Sequence, residues 1–142
     1  AAGGAEGRGA GVAVRGGRSD RTVGMWGLCP TWSGVYGWPA RAGVEGQGLM
    51  PLLKSPARRW DRPAITTYLR GNHAVRDAHW RYIRYHDGTD ELYDRDRDHN
   101  EWTNIVAQPS MQKQKERLAQ FLPKTDAPEV PRDRTTPEGD AA

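Results

Sequence analysis

Only one cysteine, Cys29, occurs in the chain, so no internal disulfide can staple it. The same scarcity removes the thiol pairs of a zinc site. His73, His79, His86 and His99 do not replace them, because no two stand at a close zinc-ligand spacing. No apolar run approaches the length needed to span a bilayer. The opening AAGGAEGRGAGVAVRGG has no apolar stretch of the signal-peptide kind. A dominant charge sign is missing too: 21 basic and 18 acidic side chains leave a net charge of +3. Their signs alternate along the chain, whereas a nucleic-acid binder needs a one-sided basic stripe. The expectation is therefore no membrane and no nucleic acid as partners.

What is present is enough for one domain. The 142 residues carry 36% hydrophobic side chains, unevenly placed, so the core is smaller than the length suggests. Residues 1–19 are Gly, Ala and Arg with few large side chains, and such a stretch cannot offset the entropy of ordering it. It reads as a disordered tail. Residues 20–59 read as a weaker unit in which Gly24, Gly27, Gly34 and Gly37 each disfavour a helix by about 1 kcal/mol relative to Ala. Residues 60–123 hold the densest pattern, and residues 124–142 form a Pro-rich, charged tail.

Within 60–123 the text predicts sheet followed by helix. Residues 65–69 are β-branched and aromatic. Residues 74–76 and 80–86 flank a tight Asp77-Ala78-His79 connection, the mark of a hairpin. Asp87-Gly88 signals the next turn, and 91–93 return as a fourth strand. Ser110 is a natural N-cap after Pro109. Met111, Leu118, Phe121 and Leu122 recur at helical spacing and are expected to face the sheet, with Pro123 ending the helix. The charges Lys113, Lys115, Glu116 and Arg117 read as a solvated face. The fold class is α+β: a small antiparallel sheet of about four strands, one C-terminal helix, and flexible N- and C-terminal tails.

Two phrases carry a family likeness. The run after Trp60, DRPAITTYLRGNHAVRDAHWRYIRYHDGTDELYDRDRDHNEWTNI, with the following helix that ends in AQFLPKT, resembles the C-terminal subdomain of the type I sulfatases. These are alkaline-phosphatase-like enzymes that cleave sulfate esters, and the nearest likeness is to the bacterial iduronate-2-sulfatase-like branch. Upstream, PARAGVEGQGLMPLLKSP resembles the family phrase EG-x-S-L-x-P-L-L. That phrase normally follows a helix carrying Asp-Leu-Tyr-Pro-Thr, and here Gly27 stands for the Asp and Cys29 for the Tyr. Trp26, Trp32 and Trp38 add bulk to the same segment, which looks like the eroded end of the sulfatase main domain and its linker.

The resemblance implies a parent that hydrolyses sulfate esters of carbohydrates with a formylglycine nucleophile made in a C/S-x-P-x-R motif, and with calcium as the expected cation. This chain lacks the motif. In Cys29-Pro30-Thr31-Trp32-Ser33 the proline is one place too early and no Arg follows, and Ser19, Ser33, Ser55 and Ser110 fail as well. The expectation is a fragment without catalytic residues or metal ligands of its own. Its partners would be the missing N-terminal sulfatase domain and, in the intact enzyme, a sulfated carbohydrate. Such enzymes are periplasmic or secreted. The alternative is a non-enzymatic interaction or carbohydrate-binding module derived from the subdomain, with Trp80, Tyr82 and Tyr85 as its surface.

The candidate substrate-binding residues are Asn72 and His73 in Gly71-Asn72-His73-Ala74-Val75-Arg76. By resemblance this turn comes back towards the substrate pocket, where either side chain touches a sugar or the sulfate. The competing reading has His73 pinning the loop to the main domain. Asp94, Asp96 and Asp98 alternate as in a calcium loop, but the sixth position holds His99 and the twelfth Ile105 instead of Gly and Glu. They read better as carboxylates that cap backbone N–H groups after a strand.

Overall fold

The computed structural model describes residues 16–39, 42–44 and 46–128. Most of the two expected tails, 1–15 and 129–142, lies outside the described residues. Three α-helices and four strands are described: α1 (Leu28–Tyr36), α2 (Met50–Lys54), β1 (Ala64–Thr67), β2 (His73–Arg76), β3 (Trp80–Arg84), β4 (Asp90–Asp94) and α3 (Gln112–Ala119). The strands form one antiparallel sheet in the order β1-β2-β3-β4, so each pairs with its neighbour in sequence. This is the α+β arrangement expected from the sequence.

Turn chemistry fixes the register. Between β2 and β3, Asp77 Oδ1 accepts the backbone N–H groups of His79 and Trp80 at 2.9 and 2.7 Å. An Asp in this place imitates a backbone turn. Between β3 and β4, Gly88 takes φ 85°, which a residue without Cβ adopts freely. Asp87 Oδ1 accepts both the backbone N–H and the hydroxyl of Thr89. The resulting register aligns Ile65, Val75, Tyr82 and Leu92 in one row across all four strands. Side chains alternate between faces along a strand, so this row lies on a single face.

That face is the core. Val75, Tyr82 and Leu92 are fully buried together with Leu118 of α3, and Trp80, Ile105, Val106, Met111, Ala119, Phe121 and Leu122 pack around them. The eight residues of α3, QKQKERLA, are too few and too polar to form a stable helix alone. Burial of Leu118 contributes about 1.5–3 kcal/mol. Two ion pairs clamp the helix on either side of it: Lys115 Nζ meets Asp90 Oδ2 at 2.6 Å, and Arg117 reaches Asp77. Lys115 is therefore drawn out of the expected solvated face, whereas Arg117 stays 43% exposed and reaches Asp77 from it. Lys115 precedes Leu118 by three residues, and that spacing puts both on the sheet-facing side.

Other local expectations also change. Ser110 caps nothing; the helix is entered through a 3-10 turn, Pro109–Met111, after Gln108. Pro109 lacks an N–H and suits a first helical position, so the turn begins two residues earlier than a serine cap would place it. Residues 85 and 86 fall outside β3, whereas His73 belongs to β2 and not to the loop before it. Leu69 leaves the strand geometry with φ 56°.

The segment before the sheet is more regular than its glycines suggested. A 3-10 turn, Met25–Gly27, runs into α1, and Gly37 ends that helix at φ 67°, where the Trp38 N–H bonds to the Ser33 carbonyl at 2.9 Å. Gly27 and Gly37 thus flank α1, Gly24 stands ahead of the 3-10 turn, and only Gly34 interrupts the interior of the helix. A side chain at Gly46 would run into the Trp26 carbonyl, so this glycine permits a close backbone approach. Thr31 ties the unit together. Its hydroxyl donates to the Gly27 carbonyl and accepts the Leu49 N–H at 2.7 Å.

Leu118→Ala removes the side chain that closes the core. It should lower the unfolding free energy by about 2–5 kcal/mol in a urea titration. Trp102→Ala, at a position 83% exposed, should change it by less than about 0.5 kcal/mol.

Candidate functional site

The sequence candidates sit where β1 hands over to β2. Leu69 and Gly71 both take positive φ, 56° and 78°, and the Tyr68 N–H bonds to the Asn72 carbonyl at 3.0 Å. The chain must turn within a few residues here, and Gly71 has no room for more: a Cβ would lie 2.9 Å from His86 Cβ. Asn72 fastens the turn. Its Nδ2 donates to the Arg70 carbonyl at 3.2 Å, and its Oδ1 accepts the His86 N–H at 3.3 Å.

His73 is the buried member of the pair, 7% exposed, on the same sheet face as the core row. Thr67, its cross-strand partner, places a hydroxyl 2.9 Å from Nδ1. On the other side Asp126 Oδ1 stands 2.7 Å from Nε2. A carboxylate can only accept, so Nε2 carries a proton. In the neutral ring Nδ1 then accepts from the Thr67 hydroxyl. The imidazole is thus oriented by one partner and occupied by another. Asp126 is 53 residues away in the chain and 38% exposed, in the segment read from sequence as tail. No local pattern could have found it, because the contact is made only once the chain has passed α3.

Asn72, His73, Thr67, His86 and Asp126 form a polar corner rather than a metal centre. Among the described residues, no group of three or more His, Cys, Asp or Glu side chains is placed to hold a metal ion. Asp94 Oδ1 accepts the Asp96 N–H at 3.1 Å and Asp98 Oδ2 accepts the Thr103 N–H at 2.7 Å. Backbone N–H groups, that of Thr103 first and Trp102 next, hold the Asp98 carboxyl below the usual range. Asp96 faces His79 Nδ1 at 2.8 Å. The alternating aspartates are spent on the backbone and on one histidine, an arrangement that does not fit calcium, which needs six to eight oxygens converging on one point.

The aromatic carbohydrate surface expected from Trp80, Tyr82 and Tyr85 does not exist as one surface. Tyr82 is fully buried, with its hydroxyl donating to Asp90 Oδ2 at 3.0 Å and accepting from Arg84. A buried phenol needs such partners. Trp80 packs against the core, and Tyr85 falls on the other side of the strand alternation.

No protein-family model matches the chain. A sulfatase from Formosa agariphila is 38% identical over 113 residues, which make up 80% of this chain and 22% of that protein. The chain is homologous to a sulfatase over that stretch, and it spans about a fifth of the relative's length. Among solved structures, BT4656, in complex with its substrate D-glucosamine-2-N,6-O-disulfate, is similar with a TM-score of 0.56 and 21% identity, over 68% of this chain and 22% of that one. The two share a fold. BT1596, a 2-O GAG sulfatase, is similar over 63% of this chain and 21% of its own, with 23% identity and a TM-score of 0.49.

Asp77, which fixes the β2–β3 turn, gives this part of the structure a pH dependence. Burial pushes its carboxyl up, but the Arg117 guanidinium and the Trp80 and His79 N–H groups outweigh that and hold it below its ordinary value. A depressed carboxylate stabilises the fold above the unfolded-state pKa, about 3.9, and loses that contribution as pH falls through the folded value. Asp77→Asn should cost about 1 kcal/mol at pH 7, and the difference from the parent should shrink in urea titrations as pH falls through the folded-state value of the Asp77 carboxyl. A difference that is constant across that range would show that the charge is not what matters.

Proposed function

We propose that this chain is the C-terminal subdomain of a sulfatase, with residues 20–59 as the end of the main domain and its linker and residues 60–123 as the subdomain itself. In the intact enzyme it forms part of the rim of a pocket that takes a sulfate ester of a carbohydrate. The observation that carries this reading is the 38% identity with a sulfatase over 80% of the chain. The shared four-stranded fold supports it, as does the sulfated glucosamine bound by BT4656. The wording of residues 60–123 favours a parent of the bacterial iduronate-2-sulfatase-like kind.

Within that reading the chain supplies position, not bond cleavage. None of its Cys or Ser residues stands in a C/S-x-P-x-R motif, so the nucleophile comes from the larger portion of the enzyme. Calcium, which holds the sulfate in such enzymes, belongs there too, since the described carboxylates here do not converge. His73 is the residue best placed to meet substrate. Thr67 fixes its ring, and Nε2 already donates to an anionic oxygen, that of Asp126. A sulfate or sugar hydroxyl oxygen takes the same place when the Asp126 segment moves aside. Asn72 holds the turn that aims the histidine.

The test is kinetic and uses the intact enzyme. His73→Ala should raise KM for a sulfated disaccharide by roughly tenfold, the equivalent of losing about 1.4 kcal/mol of binding, with kcat changed much less. Asp126→Ala should lower KM, because it removes the competing carboxylate. Unchanged KM in both variants would take His73 out of the pocket rim and leave it as a structural pin.

A further inference from the structure

The polar row beside the core holds one cation that the fold leaves without a counter-charge. Across the four strands this row reads Thr67, His73, Arg84 and Asp90, all on the core face. Arg84 is the last residue of β3 and the exposed one in that strand. It stands directly opposite His73 on β2, so the two side chains start about 5 Å apart.

The carboxylate on the other side of Arg84 is turned elsewhere. Asp90 is its partner on β4, a position that suits an ion pair. Yet Asp90 Oδ2 meets Lys115 Nζ at 2.6 Å and accepts the Tyr82 hydroxyl at 3.0 Å. Among the described residues Arg84 forms no ion pair, unlike Arg59, Arg81, Arg95, Arg97 and Arg117. Its guanidinium rests on a neutral oxygen instead: Nε and Nη2 donate to the Tyr82 hydroxyl at 3.2 and 2.9 Å. Burial pushes the Tyr82 phenol up, so this oxygen carries no charge at neutral pH. The guanidinium also lies over the Tyr82 ring, 5.7 Å from its centroid. Tyr82 is fully buried and cannot turn, so it fixes the direction of the fork. Of five N–H donors, two go to Tyr82, and the other three have no protein partner among the described residues.

We infer that Arg84 binds a second sulfate group of the sugar, next to the group that meets His73, and so sets a preference for a doubly sulfated substrate. The inference rests on the sulfatase reading given above and extends its pocket rim by one residue. His73 and Arg84 are close enough to meet two substituents of one sugar ring. A guanidinium edge takes two oxygens of an oxyanion at once, and such charge-assisted bonds are stronger than neutral ones. A sugar hydroxyl would leave the Arg84 charge unanswered, as Tyr82 does. Because the fork is exposed and already oriented, little conformational freedom is lost when the sulfate arrives.

The experiment uses the intact enzyme and two disaccharides that differ only in a second sulfate on the ring that is cleaved. The parent should favour the doubly sulfated sugar by roughly tenfold in kcat/KM, with the difference in KM. Arg84→Gln should bring that ratio close to one, and Arg84→Lys, which keeps the charge but not the fork, should retain part of it. His73→Ala should raise KM for both sugars and leave the ratio in place. A third disaccharide, with a uronate carboxylate in place of the second sulfate, should gain less; an equal gain would overturn the assignment to sulfate. Urea titration of Arg84→Gln separates binding from bracing: lower stability with an unchanged ratio would make Arg84 only a support for Tyr82. An unchanged ratio in Arg84→Gln beside a raised KM in His73→Ala sinks this inference and spares the sulfatase reading. Cleavage of none of the sugars sinks both.

Discussion

Everything in this molecule that bears on function hangs on one row of side chains. Val75, Tyr82 and Leu92 line up across three strands, and Leu118 closes over them. The row is apolar only in one register. A slip of one residue would turn it to solvent and carry His73 to the other face with it. The rows next to the core inherit their place from this constraint. Thr67, His73, Arg84 and Asp90 lie side by side on the core face, while Arg76, Arg81 and Tyr93 lie together on the other. Hydrophobic burial thus decides where the polar chemistry is displayed, although none of the polar groups contributes much to the burial.

The sheet was legible because its signals are local. Alternation in 80–84, the Asp77 turn and the Asp87-Gly88 turn each specify a few neighbouring residues, and each appears in the structure close to where the sequence places it. The core-facing residues around α3 were legible for the same reason: Met111, Leu118, Phe121 and Leu122 all pack against the core, although the helix ends at Ala119, ahead of Phe121 and Leu122, and not at Pro123. What was not legible is made by contacts that cross the chain. Lys115 and Arg117 look like surface charges until Asp90 and Asp77 arrive beside them. Asp126 looks like tail until it reaches His73. Periodicity in a short window carries no information about a partner 40 or 53 residues away.

Asn72 and His73 illustrate the division. Their presence in a turn that enters a strand was readable from Gly71 and the β-branched residues on either side. That His73 would be buried, with both ring nitrogens engaged, was not. A histidine fixed by Thr67 and facing a carboxylate is already oriented as a donor to anionic oxygen, which is the property a sulfate-binding rim requires. The homology with a sulfatase and the lack of a C/S-x-P-x-R motif in this chain fit together on that view. On the proposed reading, a larger portion of the parent does the bond cleavage, and the small sheet brings one oriented donor to its edge.

The central claim is that this chain is the end portion of a working sulfatase, and the gene tests it most directly. The reading frame ahead of the Ala1 codon should be sequenced in the source genome. The account predicts that it continues for several hundred residues and contains a C/S-x-P-x-R motif with carboxylates able to hold a cation. A stop codon or an unrelated domain directly ahead of Ala1 would contradict it, and the sulfatase likeness would then describe descent and not activity.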